Sequence, residues 1–328
     1  MRGAERAKRS GRFMNKFAFL FPGQGSQSTG MGKALADRYP AARQVFEEAD
    51  EILSFPISRL CFEGPDDELK KTENTQAALL TVSVAAYRVL AENGFRPALV
   101  AGHSLGEYSA LVAANCLEFK DALRLVRKRG RYMQEAVPEG VGAMAAVLKL
   151  PAERLDGVLA EAAQTEVVSA ANLNSPDQVV IAGHRGAVQR AMELAKAAGA
   201  RRVLALPVSA PFHCSLMRPA QERLRPDLDA TEFKDLSIPL INNWQARLVE
   251  RGQDAREGLY QQIPNPVRWT DSIREMVQHG IGRFVEAGPG AVLTGLARNI
   301  DTSLRGVKFG EPADLDNLIE LRRKEAFA

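Results

Sequence analysis

Hydrophobic and polar positions divide this chain into short apolar runs and longer stretches with helical spacing. The run Lys16–Phe21 (KFAFLF) is apolar and ends at a Pro-Gly pair, which predicts a buried strand followed by a turn. A second short apolar run, 98–101, is followed at once by a predicted helix over 107–114. Further helical spacing covers 34–53 and 75–93. Strand, sharp turn and helix in this order indicate an α/β core with a parallel sheet.

The middle of the chain has a different order of elements. The pattern predicts, in order, a strand at 144–148, a helix at 152–163, strands at 167–171 and 178–182, a helix at 187–198 and a strand at 202–206. This β-α-β-β-α-β order is the ferredoxin-like arrangement. Because α/β-like elements resume after Pro207, we expect an inserted subdomain over 141–207, within a large domain formed by 14–140 and 208–328.

Composition indicates a globular protein with a substantial core, since 45% of residues are hydrophobic and 25% charged. Residues 1–13 carry five basic side chains and one acidic one, and we expect them to form a disordered basic leader. The remainder is near neutral, with 38 basic and 39 acidic residues, so bulk charge gives no argument for binding nucleic acid.

No segment of the sequence predicts a membrane span or a metal site. The most apolar stretch, 77–91, contains Thr81, Ser83 and Arg88, which favours a buried helix over a membrane helix. The three cysteines are scattered and form no CxxC pair, so we expect neither a disulfide framework nor a zinc site. A cytoplasmic location fits this pattern best.

The segment Gly102–Gly106 (GHSLG) is a GxSxG pentapeptide between a predicted strand and a predicted helix. In that context the serine, Ser104, sits on a strained turn at the helix N-terminus, where backbone N–H groups stabilise an oxyanion. The N–H of Leu105 is the natural first donor, and the N–H of Gln24, in the glycine-rich loop after the first strand, could be the second. The alternatives are a structural tight turn at Ser104 and a plain strand-to-helix turn at Gln24.

Several motifs in a fixed order give the chain a family resemblance from about Lys16 to about Leu321. They are FPGQGSQ at 21–27, TQAALL at 75–80, GHSLGEYSAL at 102–111, RG at 129–130, NSPDQVVIAG at 174–183, FH at 212–213, NPVRW at 265–269 and EAGPGAVLTGL at 286–296. The chain resembles malonyl-CoA:acyl-carrier-protein transacylases and the related acyltransferase domains of fatty-acid and polyketide synthases. The resemblance implies an α/β-hydrolase-like core with an inserted ferredoxin-like subdomain, in agreement with the pattern above.

Serine needs a base, and the chain has four histidines. His213 follows the last strand of the predicted subdomain and matches the family's catalytic histidine, whereas a packed structural histidine is the alternative. The resemblance implies that a backbone carbonyl orients the imidazole, and counting back from Pro266-Val267 assigns it to Gln262. Pro264 departs from the family pattern, where Tyr or a polar residue is common.

Arg129 is the predicted anchor for a substrate carboxylate. Over 119–137 the apolar positions form one helical face, and Arg129 lies at its edge, whereas the other basic residues lie on the opposite face. A buried guanidinium needs an anionic partner, which could equally be a structural Glu. The resemblance implies that the partner is the free carboxylate of a malonyl group. It also implies that Phe212, together with Leu105, selects malonyl by filling the space that an α-methyl group needs.

The resemblance implies ping-pong transfer of malonyl from malonyl-CoA to the phosphopantetheine thiol of acyl carrier protein, through a malonyl-serine ester. No metal or redox cofactor is expected, and we expect a monomer. Carrier proteins are acidic, so Arg201 and Arg202 are candidates for a basic contact, although a solvated strand start is equally consistent with them. The competing functions are a serine hydrolase such as a thioesterase, and a non-catalytic module that binds carrier protein.

Overall fold

The computed structural model describes residues 16–208 and 210–323, so the predicted leader over 1–13 lies outside the described residues. Ten strands form two sheets: β1 (Lys16–Phe21), β2 (Leu99–Gly102), β3 (Gly142–Leu148), β4 (Val168–Ser175), β5 (Gln178–His184), β6 (Arg202–Ala205), β7 (Leu240–Ile241), β8 (Leu248–Val249), β9 (Ile281–Ala287) and β10 (Arg305–Phe309). The six-stranded sheet has the order β10-β9-β1-β2-β7-β8, and the four-stranded sheet has the order β4-β5-β3-β6.

Helices cover both sheets. They are α1 (Lys33–Arg38), α2 (Pro40–Leu53), α3 (Ile57–Glu63), α4 (Asp66–Leu69), α5 (Thr72–Glu92), α6 (Gly106–Ala113), α7 (Phe119–Glu135), α8 (Ala152–Ala163), α9 (Arg185–Ala197), α10 (Arg218–Asp229), α11 (Gly252–Gln262), α12 (Trp269–Gln278), α13 (Val292–Ile300) and α14 (Pro312–Arg323), with a short 3-10 helix at Ser215–Met217. The helical region predicted over 34–53 consists of two helices. It is divided before Pro40, because Tyr39 has an extended backbone and proline begins the next helix.

The large sheet is parallel through its centre, where β1 pairs with β2 on one side and with β9 on the other. Only the short strand β8, at one edge, runs antiparallel to its neighbour β7. Phe17, Phe19 and Phe21 of β1 pack into the core on one face of the sheet, and Ala18 and Leu20 into the core on the other face. Because both faces of this strand are buried, its sequence is a continuous apolar run.

The small sheet is antiparallel, and its strands and helices follow each other in the predicted β-α-β-β-α-β order. One face packs against α8 and α9, whereas Met144 and Ala182 on the other face belong to the main core. Its edge strand β4 is bound to the large sheet's half of the molecule through Val267, whose N–H donates to Ala171 O and whose carbonyl accepts from Leu173 N. The predicted α/β fold, with a parallel core sheet and a ferredoxin-like insertion, is confirmed.

Candidate active site

Ser104 lies in a sharp turn between β2 and α6, with a left-handed backbone at φ 50°. The turn is possible only because glycine precedes and follows it. A Cβ on Gly102 would lie 1.8 Å from the carbonyl carbon of Gly106, and a Cβ on Gly106 would lie 2.0 Å from the carbonyl oxygen of Phe21. A non-glycine residue held at positive φ stores strain, which is most often found at functional positions.

His213 contacts the serine directly. Its Nε2 is 2.7 Å from Ser104 Oγ, and its Nδ1 is 2.9 Å from the main-chain oxygen of Gln262. Gln262 is the last residue of α11, where carbonyl groups have no partner within the helix and are free to accept. Because that carbonyl can only accept, Nδ1 carries the proton and donates it, and Nε2 is left to accept from the serine hydroxyl.

The imidazole of His213 is held in its neutral form. Burial and, after it, the positive charge of Arg129 lower its pKa to about 3. At neutral pH the ring therefore has a free lone pair on Nε2, which is the state that a general base requires.

Arg129 is almost completely buried, at 1% exposure, on α7. One terminal nitrogen donates to Gln76 Oε1 at 2.7 Å, and the other donates to Gln262 Oε1 at 2.7 Å and to Ser104 Oγ at 3.1 Å. Within residues 16–208 and 210–323, no carboxylate oxygen forms an ion pair with this guanidinium at 4.0 Å or less. A direct structural Glu partner, the alternative raised by the sequence, is therefore not found among these residues, and all the bonds that the guanidinium makes are to neutral oxygens.

A cleft of about 110 Å³, open to solvent, runs between the two sheets and has Ser104 at its base. Gln24 and Leu105, the two predicted oxyanion donors, line it beside the serine. Phe212, which is 8% exposed, lines it next to His213. The opposite wall comes from the small sheet and the segment after it, and consists mainly of the apolar side chains of Met144, Leu206 and Val208.

Arg201 and Arg202 are exposed and lie away from this cleft. Arg202 pairs with Leu148 at one end of the β3–β6 ladder, whereas Leu206 bonds to Met144 at the end that reaches the cleft. Four residues of strand separate these two ends, about 13 Å. Arg201 and Arg202 can therefore contact a carrier protein, as predicted, only if the carrier extends this far from the cleft.

The other three histidines make different contacts. His103 Nε2 is 2.8 Å from Asn174 Oδ1 in the small sheet, and its ring packs against Trp269. His184 accepts from a backbone N–H through Nδ1, and His279 lies beside Glu275 at the surface. His213 alone among the four is bonded to the serine hydroxyl.

Sequence reasoning missed the buried polar groups behind the serine. Asn243 accepts from the Ser104 N–H at 2.7 Å and donates to Gly102 O at 2.7 Å, so it fixes the turn from the far side. Glu107 and Gln76 complete the network and are wholly or almost wholly buried. Gln76 and Glu107 lie within the TQAALL and GHSLGEYSAL motifs, and this position could have marked them as candidate site residues. No feature of the sequence around Asn243 distinguishes it in the same way.

Residues 16–208 and 210–323 contain neither a membrane-spanning helix nor a metal-binding cluster. No described helix is long and apolar enough to cross a bilayer. Across the same stretches, no group of three or more His, Cys, Asp or Glu side chains is arranged so that it could hold a metal ion.

The chain is similar to known acyl transferases over most of its length. The acyl transferase domain family matches residues 18–313. The malonyl CoA-acyl carrier protein transacylases of Escherichia coli K12 and Bacillus subtilis 168 are 48% and 47% identical to it. These alignments cover 94% and 95% of this chain, and 100% and 99% of the two relatives.

Solved structures agree with this likeness. An acyl carrier protein S-malonyltransferase from Vibrio cholerae matches with a TM-score of 0.90 at 48% identity, over 92% of this chain and 99% of that one. A malonyl-transacylase in complex with a type II PKS acyl-carrier protein matches with a TM-score of 0.91 at 47% identity, over 93% of this chain and 99% of that one.

Proposed function

The chain belongs to the acyl transferase domain family, and we propose that it transfers malonyl groups from malonyl-CoA to the phosphopantetheine thiol of acyl carrier protein. In this proposal the product, malonyl-acyl carrier protein, feeds fatty-acid synthesis. The observation that carries it is the position of Arg129. Its guanidinium reaches the nucleophile's hydroxyl at 3.1 Å and has no carboxylate ion-pair partner among the described residues, so an acyl group that brings its own carboxylate would fit.

The first half-reaction loads the serine. His213 Nε2 takes the proton of Ser104 Oγ, and the oxygen attacks the thioester carbonyl carbon. The N–H groups of Leu105 and Gln24 hold the tetrahedral oxyanion. The C–S bond then breaks, His213 returns its proton to the departing CoA sulfur, and a malonyl ester of Ser104 remains.

The second half-reaction transfers the malonyl group from Ser104 to the carrier. The carrier's thiol gives its proton to His213 Nε2, and its sulfur attacks the ester carbonyl. The C–O bond to Ser104 breaks, and the serine oxygen regains a proton from the imidazolium. In both halves the Gln262 carbonyl keeps the proton on Nδ1, so the same nitrogen, Nε2, accepts and returns the mobile proton.

The remaining assignments belong to the same proposal. We divide the chain into a large domain of 14–140 and 208–328 and a small subdomain of 141–207, with the cleft between them. Acyl carrier protein is the partner, the protein acts as a monomer in the cytoplasm, and neither a metal nor a redox cofactor takes part. Phe212 excludes an α-methyl group, and Arg201 and Arg202 contribute to a basic surface for the acidic carrier.

Intact-mass measurement tests the proposal. The protein is incubated with malonyl-CoA, with and without carrier protein bearing its phosphopantetheine arm. We expect a malonyl adduct on Ser104 that is stable in buffer and is discharged by the carrier. Discharge by water alone would identify a hydrolase, and the absence of any adduct would identify a binding module. The Ser104→Ala variant is the control and should take up no malonyl group.

A further inference from the structure

Glu107 is a buried carboxyl group that the proposed chemistry does not use. It lies on α6, three residues after the nucleophile, and is 0% exposed. Its Oε2 accepts from the main-chain N–H of Asn243 and from the side-chain Nε2 of Gln262, both at 2.9 Å. Burying a carboxyl group costs free energy, so its place directly behind the active serine calls for a specific reason.

Three acceptors orient the side-chain amide of Gln262: its Nε2 donates to Glu107 Oε2 at 2.9 Å, to Ser104 O at 3.1 Å and to Asn243 Oδ1 at 3.3 Å, and the bond to Glu107 is the shortest. A side-chain amide has one accepting end and one donating end, and the oxygen of Glu107 that faces it accepts. Nε2 therefore faces Glu107, and Oε1 faces the guanidinium of Arg129 at 2.7 Å. The reverse orientation would place the NH₂ of Gln262 against the N–H groups of Arg129, donor against donor.

We infer that Glu107 is a positioning residue for substrate selection: through the side chain of Gln262 it holds the Arg129 guanidinium where a substrate carboxylate would meet it. The inference rests on the proposed malonyl transfer. It gives Gln262 two separate tasks, because the main-chain oxygen bonds to the base and the side-chain oxygen bonds to the carboxylate anchor.

The second oxygen of Glu107 could carry a proton without disturbing the two bonds that Oε2 accepts. Oε1 has no hydrogen-bond partner among the residues that the structure describes. Burial raises the pKa of this carboxyl group to about 7, so it binds a proton readily. A proton on Oε1 would leave Oε2 free to accept from Gln262 and Asn243 as before. Glutamine can accept in the same way through its amide oxygen, whereas methionine, of similar size, cannot.

The test compares Glu107→Met with Glu107→Gln by measuring kcat/KM for malonyl-CoA and for acetyl-CoA, which carries no free carboxylate. We expect Glu107→Met to lower the malonyl-to-acetyl ratio by about tenfold. The variant should weaken the bond from the charged Arg129 to Gln262 Oε1, and a hydrogen bond to a charged group is worth roughly that factor or more. Glu107→Gln should keep the ratio within about threefold of the wild type. Loss of the Asn243 contact loosens the serine turn for both substrates alike, so the ratio isolates the effect on Arg129.

Glu286 provides a matched control in the same chain. It is also a buried carboxyl group with backbone N–H donors, those of Leu293 and Thr294 at 3.0 and 2.8 Å. Glu286→Met should lower the melting temperature and leave the substrate ratio unchanged. An equal fall of the ratio in this control would show that the ratio reports general loosening, and the inference would be overturned.

A second variant covers the case in which Glu107→Met does not fold. Gln262→Met keeps the main-chain oxygen that His213 uses and removes only the amide, and it should lower the ratio by about the same tenfold factor. An unchanged ratio in this variant or in folded Glu107→Met would overturn the inference. A wild-type protein that forms no malonyl ester would instead overturn the proposed function.

Discussion

The two walls of the cleft are built in different ways. On the wall that carries the serine, polar side chains hold one another: Arg129 bonds to Gln262, and both bond to atoms of Ser104. On the wall formed by the small sheet and the segment after it, Met144 and Leu206 contribute apolar surface. Hydrogen bonds have directional requirements and apolar contacts do not, so the first wall can place atoms and the second can only shape the space around them.

This difference suggests a division of labour that substitutions can test. Changes on the polar wall should alter the rate or the choice of acyl group by large factors. Changes on the apolar wall and at the junction between the walls should have smaller effects. The predictions below are ordered by the size of the expected effect.

His213→Ala should give the largest loss. Without the imidazole the serine hydroxyl is a weak nucleophile, and general-base assistance is worth about three orders of magnitude. Single-turnover acylation by malonyl-CoA measures this step, with His103→Ala as the matched control. If His103→Ala gave the larger loss while His213→Ala stayed near normal, the base would have been assigned to the wrong residue.

The lowered pKa of His213 also predicts how acylation of the wild-type protein depends on pH. The pKa of His213 is lowered from 6.5 to about 3. A lowered pKa means that the folded protein keeps the ring neutral as the pH falls through 6.5, so acylation should persist well below that pH. An acid limb of kcat/KM near 6.5 in a protein that is still folded would contradict the lowered pKa.

Arg129→Ala should be the most selective change. Removing one member of a buried, bidentate charged pair typically costs several kcal/mol, which corresponds to about two orders of magnitude or more in kcat/KM for malonyl-CoA. Acetyl-CoA leaves the guanidinium unpaired, so its turnover should stay the same or rise. An equal fall for both substrates, or a lower melting temperature alone, would make Arg129 a structural residue.

Phe212→Ser should shift selectivity by a moderate factor. Its ring lines the cleft beside the base, and space for one methyl group is worth about tenfold or more in discrimination. We expect kcat/KM for methylmalonyl-CoA to rise about tenfold relative to malonyl-CoA. A ratio that does not change would mean that the α-methyl group is excluded by another part of the cleft.

Asn174→Ala should have the smallest effect. It removes the bond between His103 and the small sheet, a contact worth about 1 kcal/mol. We expect a fall of a few degrees in melting temperature and a change in kcat/KM of less than about threefold. A loss as large as that of Arg129→Ala would show that the small-sheet side helps to place the reacting atoms.

Local patterns predicted those parts of the molecule that local forces determine. The strand Lys16–Phe21 was predicted with its observed bounds, and the insertion was recognised because its elements follow one another along the chain. Arg129 stood out because a charged side chain on an apolar helical edge is conspicuous. The strands β7 and β8 have two residues each, which is too short for any periodicity to be seen.

The buried network behind the serine could not be predicted in this way. Asn243 lies 139 residues from Ser104 in sequence, and the two meet only because the strand order of the large sheet brings their loops together. The resemblance pointed to the main-chain oxygen of Gln262, but the role of its side chain depends on Glu107 and Arg129, which lie on two other helices. Such contacts are properties of the folded molecule and leave no periodic trace in the sequence.

The central place of β1 affects how the protein can be made by the ribosome. This strand is synthesised well before β9, with which it pairs on one side and in which Ile281 is the partner of Lys16. Translation at about 5–20 residues per second leaves that edge of β1 without its partner for tens of seconds. Throughout this time three phenylalanines alternate along a strand that has no neighbour on one side. Until β9 leaves the exit tunnel, this edge of β1 has unpaired backbone groups that could pair with another chain unless something covers them.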